Sequence, residues 1–216
     1  MSALNICILD YGLGNTGSIQ NMLKRVGYKS VISRDEEDIS SAGLIFLPGV
    51  GSFDDGMANL QKYDLIPLLE KKVLIDKTPI VGICLGMQLL LNGSEEGEKE
   101  GLGWIKGYSK KFNFSEAPSQ RLRVPHMGWN YITPSQQHAE IFASDFPELR
   151  YYFVHSYYAM LENKEEELCA TSYGSDFSSG IRSSNIYGFQ FHPEKSHKFG
   201  MLLFSNLIKQ LVSVKS

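Results

Sequence analysis

The chain has 216 residues, of which 43% are hydrophobic, and a formal net charge of −3 at pH 7. This composition supplies enough apolar residues for a sizeable core and excludes an intrinsically disordered chain. The small excess of acidic residues argues against nucleic acid and anionic membranes as partners. The three cysteines, Cys7, Cys84 and Cys169, are widely spaced and odd in number, so they indicate neither a disulfide framework nor a zinc site.

The N-terminal sequence MSALNICILDYG lacks the basic start and the cleavable apolar core of a signal peptide. No apolar run approaches the roughly 20 residues that a transmembrane helix needs. Together with the unpaired cysteines, these features predict a soluble cytoplasmic protein with reduced thiols.

The first half of the sequence alternates between strand and helix patterns. A helical pattern ending at Gly27 follows the first strand, a second runs from about Asp55 to Lys72, and a third follows the fourth strand. The four apolar, strand-like runs are residues 5–9, 29–33, 43–49 and 79–84. This alternation favours a parallel sheet covered by helices on both faces.

The second half is strand-like and rich in aromatic residues, with turn residues at intervals that suit antiparallel pairing. A final helix is predicted through Met201 to Leu211. The strand-like segments are residues 102–114, 121–132, 150–160, 166–173 and 184–192. The prediction is an α/β fold with a mostly parallel central sheet, helices on both faces and antiparallel strands in the C-terminal half, formed by residues 1–216 as one domain.

One cysteine stands between two glycines, in the sequence Gly82-Ile83-Cys84-Leu85-Gly86, at a predicted junction of strand and helix. G-x-C-x-G is the thiol form of a nucleophile elbow, in which small flanking residues let strand and helix approach each other closely. The positive N-terminal end of the helix favours the nucleophilic thiolate, and the N–H of Leu85 can stabilise an oxyanion. A buried structural cysteine is the alternative.

A cysteine nucleophile needs a base, and the strongest candidate is His192 in the sequence FQFHPE. Pro193 biases His192 towards an extended conformation, in which Glu194, two residues later, projects to the same side. Glu194 can therefore orient the imidazole and stabilise its charge, as the third member of a catalytic triad.

The other histidines are not assigned to catalysis. His126 and His155 lie in apolar strands and are interpreted as structural residues, whereas His138 is interpreted as loop surface. His192 and His197 are separated by a proline and lack a third ligand nearby, so no metal site is predicted.

The segment LPGVGSF, residues 47–53, follows the third strand. Two glycines around Val50 allow the backbone to turn its N–H groups towards a neighbouring site, although an ordinary turn at a strand end is the alternative. PGVG, GICLGMQ and FHPE, in this order, make nearly the whole chain similar to the class I, triad-type glutamine amidotransferases. DYGLGN, PHMGWN and HPEKS more narrowly resemble the glutaminase subunits of imidazole glycerol phosphate synthases.

This resemblance implies a flavodoxin-like fold and hydrolysis of L-glutamine to glutamate and ammonia, without a cofactor. It implies that Cys84 attacks the side-chain amide, that His192 transfers the protons, and that Glu194 orients His192. The implied oxyanion hole consists of Gly49, Val50, Gly51 and Leu85. The residues implied to hold the backbone groups of the substrate are Gln88, Glu96, Ser156 and Tyr157.

The resemblance also implies a partner. Ammonia would pass to a (β/α)₈ cyclase subunit that makes imidazole glycerol phosphate and an aminoimidazole carboxamide ribonucleotide in histidine biosynthesis, within a heterodimer. The positions that match the family's interface are Asn15, Met127, Trp129, Asn130 and Lys195. Core packing is the alternative for Met127 and Trp129.

Three other functions remain open. The sequence HPEKSHKFGM also resembles relatives that supply ammonia for amino-sugar modification in surface polysaccharide synthesis. The loop GLGNTG, with Asp35 near the end of the second strand, matches a dinucleotide-binding fingerprint and hence an oxidoreductase, although Asp10 and Tyr11 lengthen a turn that should be tight. A non-catalytic scaffold protein is the third alternative.

Overall fold

A computed structural model of the chain describes residues 4–114 and 122–213. In this part of the chain an 11-stranded sheet and a separate two-stranded sheet are surrounded by six α-helices. In chain order the strands are β1 (Ile6–Leu9), β2 (Val31–Ser33), β3 (Leu44–Leu47), β4 (Ile80–Ile83), β5 (Gly93–Ser94), β6 (Gly107–Lys111), β7 (His126–Tyr131), β8 (Thr133–Pro134), β9 (Arg150–His155), β10 (Tyr157–Leu161), β11 (Glu167–Tyr173), β12 (Ser175–Ser183) and β13 (Ile186–Phe189). The helices are α1 (Thr16–Arg25), α2 (Glu36–Ser41), α3 (Phe53–Lys62), α4 (Leu65–Glu70), α5 (Leu85–Leu89) and α6 (His197–Ser213).

The main sheet has the strand order β2-β1-β3-β4-β13-β12-β10-β6-β5. Its first five strands are parallel, and β12, β10 and β6 continue it in antiparallel fashion. β11 pairs with β12 and β8, whereas β7 and β9 form the separate antiparallel pair. The predicted fold class is therefore confirmed, because a mostly parallel sheet is joined to antiparallel strands from the second half of the chain.

Both faces of β1, β3, β4 and β13 are buried, as expected for a parallel sheet covered by helices, whereas the edge strand β2 is partly exposed. In β1, Ile6 and Ile8 pack on one face with apolar residues of α1 and α6. Cys7 and Leu9 pack on the other face with apolar residues of α3 and α4. Because successive side chains of a strand point to opposite faces, one four-residue strand contributes to both halves of the core.

The prediction of one continuous helix from about Asp55 to Lys72 is wrong, because the structure has two helices, α3 and α4, in this region. The first begins at Phe53, because the Ser52 hydroxyl accepts a hydrogen bond from the Asp55 N–H and caps α3. The helical segment is interrupted at Asp64, whose φ of 52° is left-handed. Pro67 has no N–H for the carbonyl of Tyr63, so an uninterrupted helix would lose a hydrogen bond there.

The strand predictions of the second half also differ from the structure in three places. β12 was not predicted, because its serines and glycine show no apolar alternation, although residues 177–181 are buried. The predicted segment 150–160 divides at Ser156 into β9 and β10, which belong to different sheets. β13 lies parallel to β4 rather than in a purely antiparallel region. Residue 121, the start of one predicted segment, lies outside the described residues.

The predicted last helix is confirmed as α6. None of the helices in the two described ranges is both long enough and apolar enough to cross a lipid bilayer.

Candidate active site

Cys84 occupies a sharp bend between β4 and α5. Its backbone has a φ of 55° and a ψ of −110°, a conformation that is costly for a residue with a side chain. A Cβ atom on Gly82 would lie 2.6 Å from the carbonyl oxygen of Gly86, and one on Gly86 would lie 1.8 Å from the carbonyl oxygen of Leu47. The two glycines are therefore required by the close approach of α5 to the sheet, as the motif predicts.

The sulfur of Cys84 has two hydrogen-bond partners. It lies 3.9 Å from the carbonyl oxygen of Val154, to which a thiol can donate, and the Nε2 amide of Gln190 donates to it at 3.7 Å. Cys84 is only 7% exposed. A thiolate would keep the donor from Gln190, so the site retains a partner for the charged form of the nucleophile.

His192 and Glu194 form a buried pair behind the cysteine. Nδ1 of His192 lies 2.7 Å from Oε1 of Glu194, and the two side chains are 2% and 1% exposed. The backbone of His192 is fixed by a bridge to Tyr152, and its carbonyl accepts a hydrogen bond from the Ser196 hydroxyl at 2.6 Å. Nε2 of His192 has no hydrogen-bond partner among residues 4–114 and 122–213, which leaves it available for proton transfer.

Cys84 and His192 act on each other electrostatically. Burial lowers the pKa of His192, but the interactions of the ring with Cys84 and Glu194 outweigh this effect and raise the pKa to about 9. Nε2 of His192 and the sulfur of Cys84 form no hydrogen bond of standard distance and angle. Cys84 nevertheless stabilises the protonated ring and so raises its pKa. The raised pKa of His192 favours the protonated imidazole, the form that can donate a proton from Nε2.

An open cavity of about 320 Å³ adjoins the sulfur. This volume is at the lower end of the roughly 300–1,000 Å³ typical of small-molecule sites. The residues lining it are Val50, Gly51, Cys84, Leu85, Gln88, Glu96, Pro125, Val154, His155, Ser156 and Tyr157. Of the residues implied for the oxyanion hole and for substrate binding, Gly49 is the one that does not line the cavity.

Gly49 instead packs under the bend. A Cβ at this position would lie 2.7 Å from the Gly86 nitrogen and from Cβ of Leu85, so only glycine fits. Leu85 is the first residue of α5, and its N–H has no acceptor within the helix. Gly51 has a φ of 124°, which favours glycine, and lies with Val50 at the cavity wall. The PGVG loop and the start of α5 thus surround the space next to the sulfur.

Glu96 contributes a carboxylate to the lining of the cavity. Its Oε2 accepts a hydrogen bond of 2.9 Å from the N–H of Phe53, at the start of α3. Burial raises the pKa of Glu96, the hydrogen bond from Phe53 partly offsets this, and the charges of Asp54 and Asp55 raise it further. A positively charged ligand group in the cavity would relieve this clustering of negative charge.

The side-chain amide nitrogen of Gln88 is bound within the protein, although Gln88 lines the cavity. Its Nε2 donates to the carbonyl oxygen of Tyr157 at 3.1 Å and to Oε1 of Gln190 at 3.0 Å. Gln190, which follows β13, was missed in the sequence, although it is a fully buried polar residue between two phenylalanines. The available signal was its position two residues before His192, which places both side chains on one side of an extended segment.

His126 and His155 are buried and hydrogen-bonded to each other at 3.0 Å, as their interpretation as structural residues predicts. Burial lowers the pKa of His126 to about 4. For His155, burial, opposed by a hydrogen bond to Tyr157 and reinforced by the neighbouring histidines, lowers the pKa to about 3. Both rings are neutral, and His155 also lines the cavity. The interpretation of His138 as loop surface is wrong in part, because His138 is half-buried and lies 3.2 Å from Arg182.

The residues implied for the partner interface are mostly exposed. Met127 is 61% exposed and Trp129 is 45% exposed, so neither is a core residue. One face of Trp129 stacks on His197, with 5.8 Å between ring centroids and 9° between planes. Asn15 caps α1, and Lys195 is exposed in the turn after His192. Asn130 is different, since its side chain bonds inward to Ser172 and His126.

The glycine-rich loop of residues 12–17 supports the active site instead of forming a tight nucleotide-binding turn. Six residues separate β1 from α1. The Tyr11 hydroxyl donates to the carbonyl oxygen of Pro48 at 2.6 Å, and a Cβ on Gly14 would lie 2.8 Å from Cβ of Pro48. The loop therefore packs against PGVG, while Asp35 stands at the N-cap position of α2. Across residues 4–114 and 122–213 no group of three or more His, Cys, Asp or Glu side chains could hold a metal ion.

Comparisons with known proteins agree with this geometry. The family model described as glutamine amidotransferase class-I matches residues 7–210. The imidazole glycerol phosphate synthase subunit HisH 2 of Methanococcus maripaludis is 51% identical, over 95% of this chain and 99% of the relative. The protein of the same name from Pseudomonas aeruginosa is 47% identical, over 94% and 98%.

Solved structures share the fold at low sequence identity. PurLQS from Thermotoga maritima has a TM-score of 0.73 at 19% identity, covering 97% of this chain and 99% of that one. The glutaminase domain of CTPS from Trypanosoma brucei has a TM-score of 0.66 at 15% identity, covering 98% and 94%. With the family match over most of its length, and with relatives this similar, the chain belongs to the class-I glutamine amidotransferase family.

Proposed function

We propose that this chain is the glutaminase subunit of an imidazole glycerol phosphate synthase, and that residues 1–216 act as one cytoplasmic glutamine amidotransferase domain. The observation that carries the proposal is the strained Cys84 at the wall of a cavity, backed by the His192–Glu194 pair. The relatives at 51% and 47% identity bear the name of that subunit, which supports the choice within the family.

The first half-reaction makes a thioester. The sulfur of Cys84 attacks the side-chain amide carbon of glutamine, and the carbonyl oxygen becomes an oxyanion. The N–H of Leu85 and the backbone around Val50 and Gly51 are the proposed donors to this oxyanion. As the carbon–nitrogen bond breaks, the proton on Nε2 of His192 passes to the departing nitrogen, so neutral ammonia leaves. The raised pKa of His192 supports this role, because the ring holds that proton before the attack.

The second half-reaction regenerates the cysteine. The now neutral His192 takes a proton from a water molecule, which attacks the thioester carbon, and collapse of the second tetrahedral intermediate expels the thiolate. Glutamate leaves, and His192 retains the proton that balances the charge on sulfur. Glu194 keeps the ring oriented throughout and stabilises its positive charge.

Glutamine is held by groups at the edge of the cavity. Its ammonium group is assigned to Glu96, whose carboxylate lies among other acids. Its carboxylate is assigned to the segment of Ser156 and Tyr157, which offers N–H and hydroxyl donors. Gln88 shapes this segment by its hydrogen bond to the carbonyl of Tyr157.

Ammonia is then delivered to a partner. Near neutral pH free ammonia is mostly protonated and no longer nucleophilic, so a docked acceptor enzyme would preserve it. The proposed partner is a (β/α)₈ cyclase subunit in a heterodimer. Its proposed docking surface combines the exposed residues Met127 and Trp129 of β7 with Asn15 and Lys195.

A glutamine analogue carrying a diazoketone tests the nucleophile. One equivalent should attach to Cys84, identified by peptide mass spectrometry, and Cys84→Ser should take up none. The other two cysteines are internal controls, because burial raises the pKa of Cys7 to about 11 and that of Cys169 to about 12. Stoichiometric labelling elsewhere, or none on Cys84 with the partner present, would refute the proposed role.

Amino-sugar modification is the second candidate pathway, favoured by the sequence HPEKSHKFGM. His197 of this sequence lies against Trp129 within the proposed docking surface, where it can influence which barrel is accepted. Complementation of a histidine auxotroph without its own glutaminase separates the two pathways, because restored growth assigns the chain to histidine biosynthesis. Failure under good expression, with capture of a different barrel from the native cell, assigns it to the second pathway.

A further inference from the structure

A single chain of hydrogen bonds connects the nucleophile to a distant strand. Starting from the Cys84 sulfur, it passes through Gln190 and Gln88 to the carbonyl oxygen of Tyr157. From the same carbonyl it continues through the rings of His155 and His126 to Asn130 in β7. We propose that Gln190 and the His126–His155 pair are positioning residues, which hold the sulfur and the Tyr157 carbonyl in place through this chain. The proposal rests on the glutaminase function above.

The amide of Asn130 fixes the direction of the bonds at one end. Its Oδ1 accepts from the N–H of Tyr131 at 2.8 Å, so its Nδ2 is the atom that faces His126 and Ser172. An amide nitrogen only donates, so Nε2 of His126 must accept at 3.2 Å. In a neutral ring the proton then resides on Nδ1, which donates to Nε2 of His155 at 3.0 Å.

The other end of the chain requires the same arrangement. The carbonyl oxygen of Tyr157 only accepts, so Nδ1 of His155 must carry a proton and donate to it at 2.7 Å. Nε2 of His155 is then free of a proton and accepts from His126. Two independent ends therefore demand the same tautomer in both rings, and neither ring can reverse its proton without breaking a buried hydrogen bond.

The rings are also held sterically. His126 stacks on Phe153 and Tyr173, with centroid distances of 4.7 and 4.0 Å. His155 packs against Phe112 at 5.3 Å. A second proton on either ring would add charge in this aromatic surrounding, which is the reason that burial keeps both rings neutral.

At the catalytic end, Gln190 connects the chain to the sulfur. It can both accept from Gln88 and donate to Cys84 because its amide has one oxygen and one nitrogen. The Tyr157 carbonyl accepts from two sides, from Gln88 and from His155. Displacement of His155 would therefore loosen the carbonyl and, through Gln88 and Gln190, the donor to the nucleophile.

His126 gives the sharpest test, because it does not line the cavity and touches none of the reacting atoms. His126→Leu removes both hydrogen bonds. His126→Asn keeps one donor, since the Asn Nδ2 corresponds to the ring Nδ1 that faces His155. With the diazoketone analogue, His126→Leu should label Cys84 about tenfold more slowly at saturation, with an unchanged half-saturating concentration, because the hydrogen bond to His155 is the one that leads towards Cys84. His126→Asn should recover most of the rate.

Equal rates in wild type and a folded His126→Leu variant would overturn the proposal, as would equal losses in both variants. If His126→Leu does not fold, the proposal is tested in the wild-type protein by measuring the tautomers of His126 and His155. ¹⁵N NMR at neutral pH should show both rings protonated at Nδ1 and not at Nε2, and any other protonation pattern refutes the chain. If the analogue fails to label the wild type with the partner present, the glutaminase function fails, while the NMR result still tests the hydrogen-bond chain separately.

Discussion

His192 and Glu194 are joined by a contact of 2.7 Å that is closed to solvent on both sides. A carboxylate in such a position favours the protonated imidazole, and its interaction with His192, added to that of Cys84, overcomes the effect of burial. The geometry of a short His-x-Glu sequence thus controls the charge of the ring that faces the nucleophile.

Removal of the Glu194 charge should lower the pKa of His192. Glu194→Gln keeps an oxygen that can accept from Nδ1, so the ring should stay oriented while its stabilising charge is lost. We expect glutamine turnover to fall by on the order of 10²–10⁴-fold, the range of a positioned acid–base group. The pH–rate profile and ¹³C NMR of His192 measure the two effects. Unchanged titration of His192 in the variant would contradict this electrostatic account.

Stability at alkaline pH should depend on the same pair. The folded pKa of His192 is about 9 and its unfolded value is 6.5, so its stabilising contribution is complete below pH 6.5 and lost as pH rises through 9. Over that interval the loss is on the order of 3 kcal/mol. Denaturant unfolding between pH 6 and 10 measures it. The slope should be shallower in Glu194→Gln, and a parallel slope would contradict the assignment.

At acid pH the opposite sign applies to His126 and His155. Their folded pKa values, about 4 and about 3, are below 6.5, so the unfolded chain binds more protons and stability decreases as pH falls from 6.5 towards 4. The slope is up to about 1.4 kcal/mol per pH unit for each ring. In His126→Asn, the unfolding free energy should fall less steeply with decreasing pH, because unfolding then takes up one proton fewer. The alkaline limb of this variant should match that of wild type.

Charge at Glu96 should matter for binding more than for chemistry. Glu96→Gln can still accept from the Phe53 N–H, so the start of α3 should be preserved while the partner for a substrate ammonium is lost. We expect KM for glutamine to rise by about tenfold with a much smaller change in kcat, since this contact is made before and during the reaction. Because the pKa of Glu96 is raised, KM of wild type should also rise as pH falls. A fall in kcat alone would assign Glu96 to another role.

Sequence patterns predicted those parts of the site whose geometry is local. The spacing of Gly82 and Gly86 reflects a backbone crossing within one turn. Glu194 lies only two residues after His192 and contacts it, although it does so from the 3₁₀ turn Pro193–Lys195 and not from the predicted extended segment. Strands β1, β3 and β4 were equally readable, because burial on both faces leaves continuous apolar runs, whereas the parallel pairing of β13 was not predicted.

Long-range contacts explain what was missed. Gln190 acquires its role only when Gln88 from α5 and the Cys84 sulfur meet it, at separations of about a hundred residues. β12 is buried by its neighbours despite a polar sequence, and its hydroxyls are satisfied across the sheet, as where Thr171 donates to Ser179 at 2.7 Å. The left-handed Asp64, which ends α3, has no unambiguous signal in the sequence.

The backbone crossing at Gly86 gives the last prediction. Gly86→Ala would place a Cβ 1.8 Å from the carbonyl oxygen of Leu47, which lies in the strand beside β4 and cannot move independently of the sheet. We expect a loss of several kcal/mol in unfolding free energy, or a displaced α5 that moves Leu85 and abolishes labelling of Cys84 by the glutamine analogue.

Gly17→Ala is the matched control, because Gly17 is helical and a Cβ there would meet nothing within 4 Å. This substitution should be neutral or should stabilise the chain by about 0.4–1 kcal/mol through the unfolded state. Denaturant unfolding of both variants beside wild type measures the difference. Equal unfolding free energies and equal labelling of Cys84 in Gly86→Ala and Gly17→Ala would show that the close approach of α5 to β3 does not determine the position of Cys84.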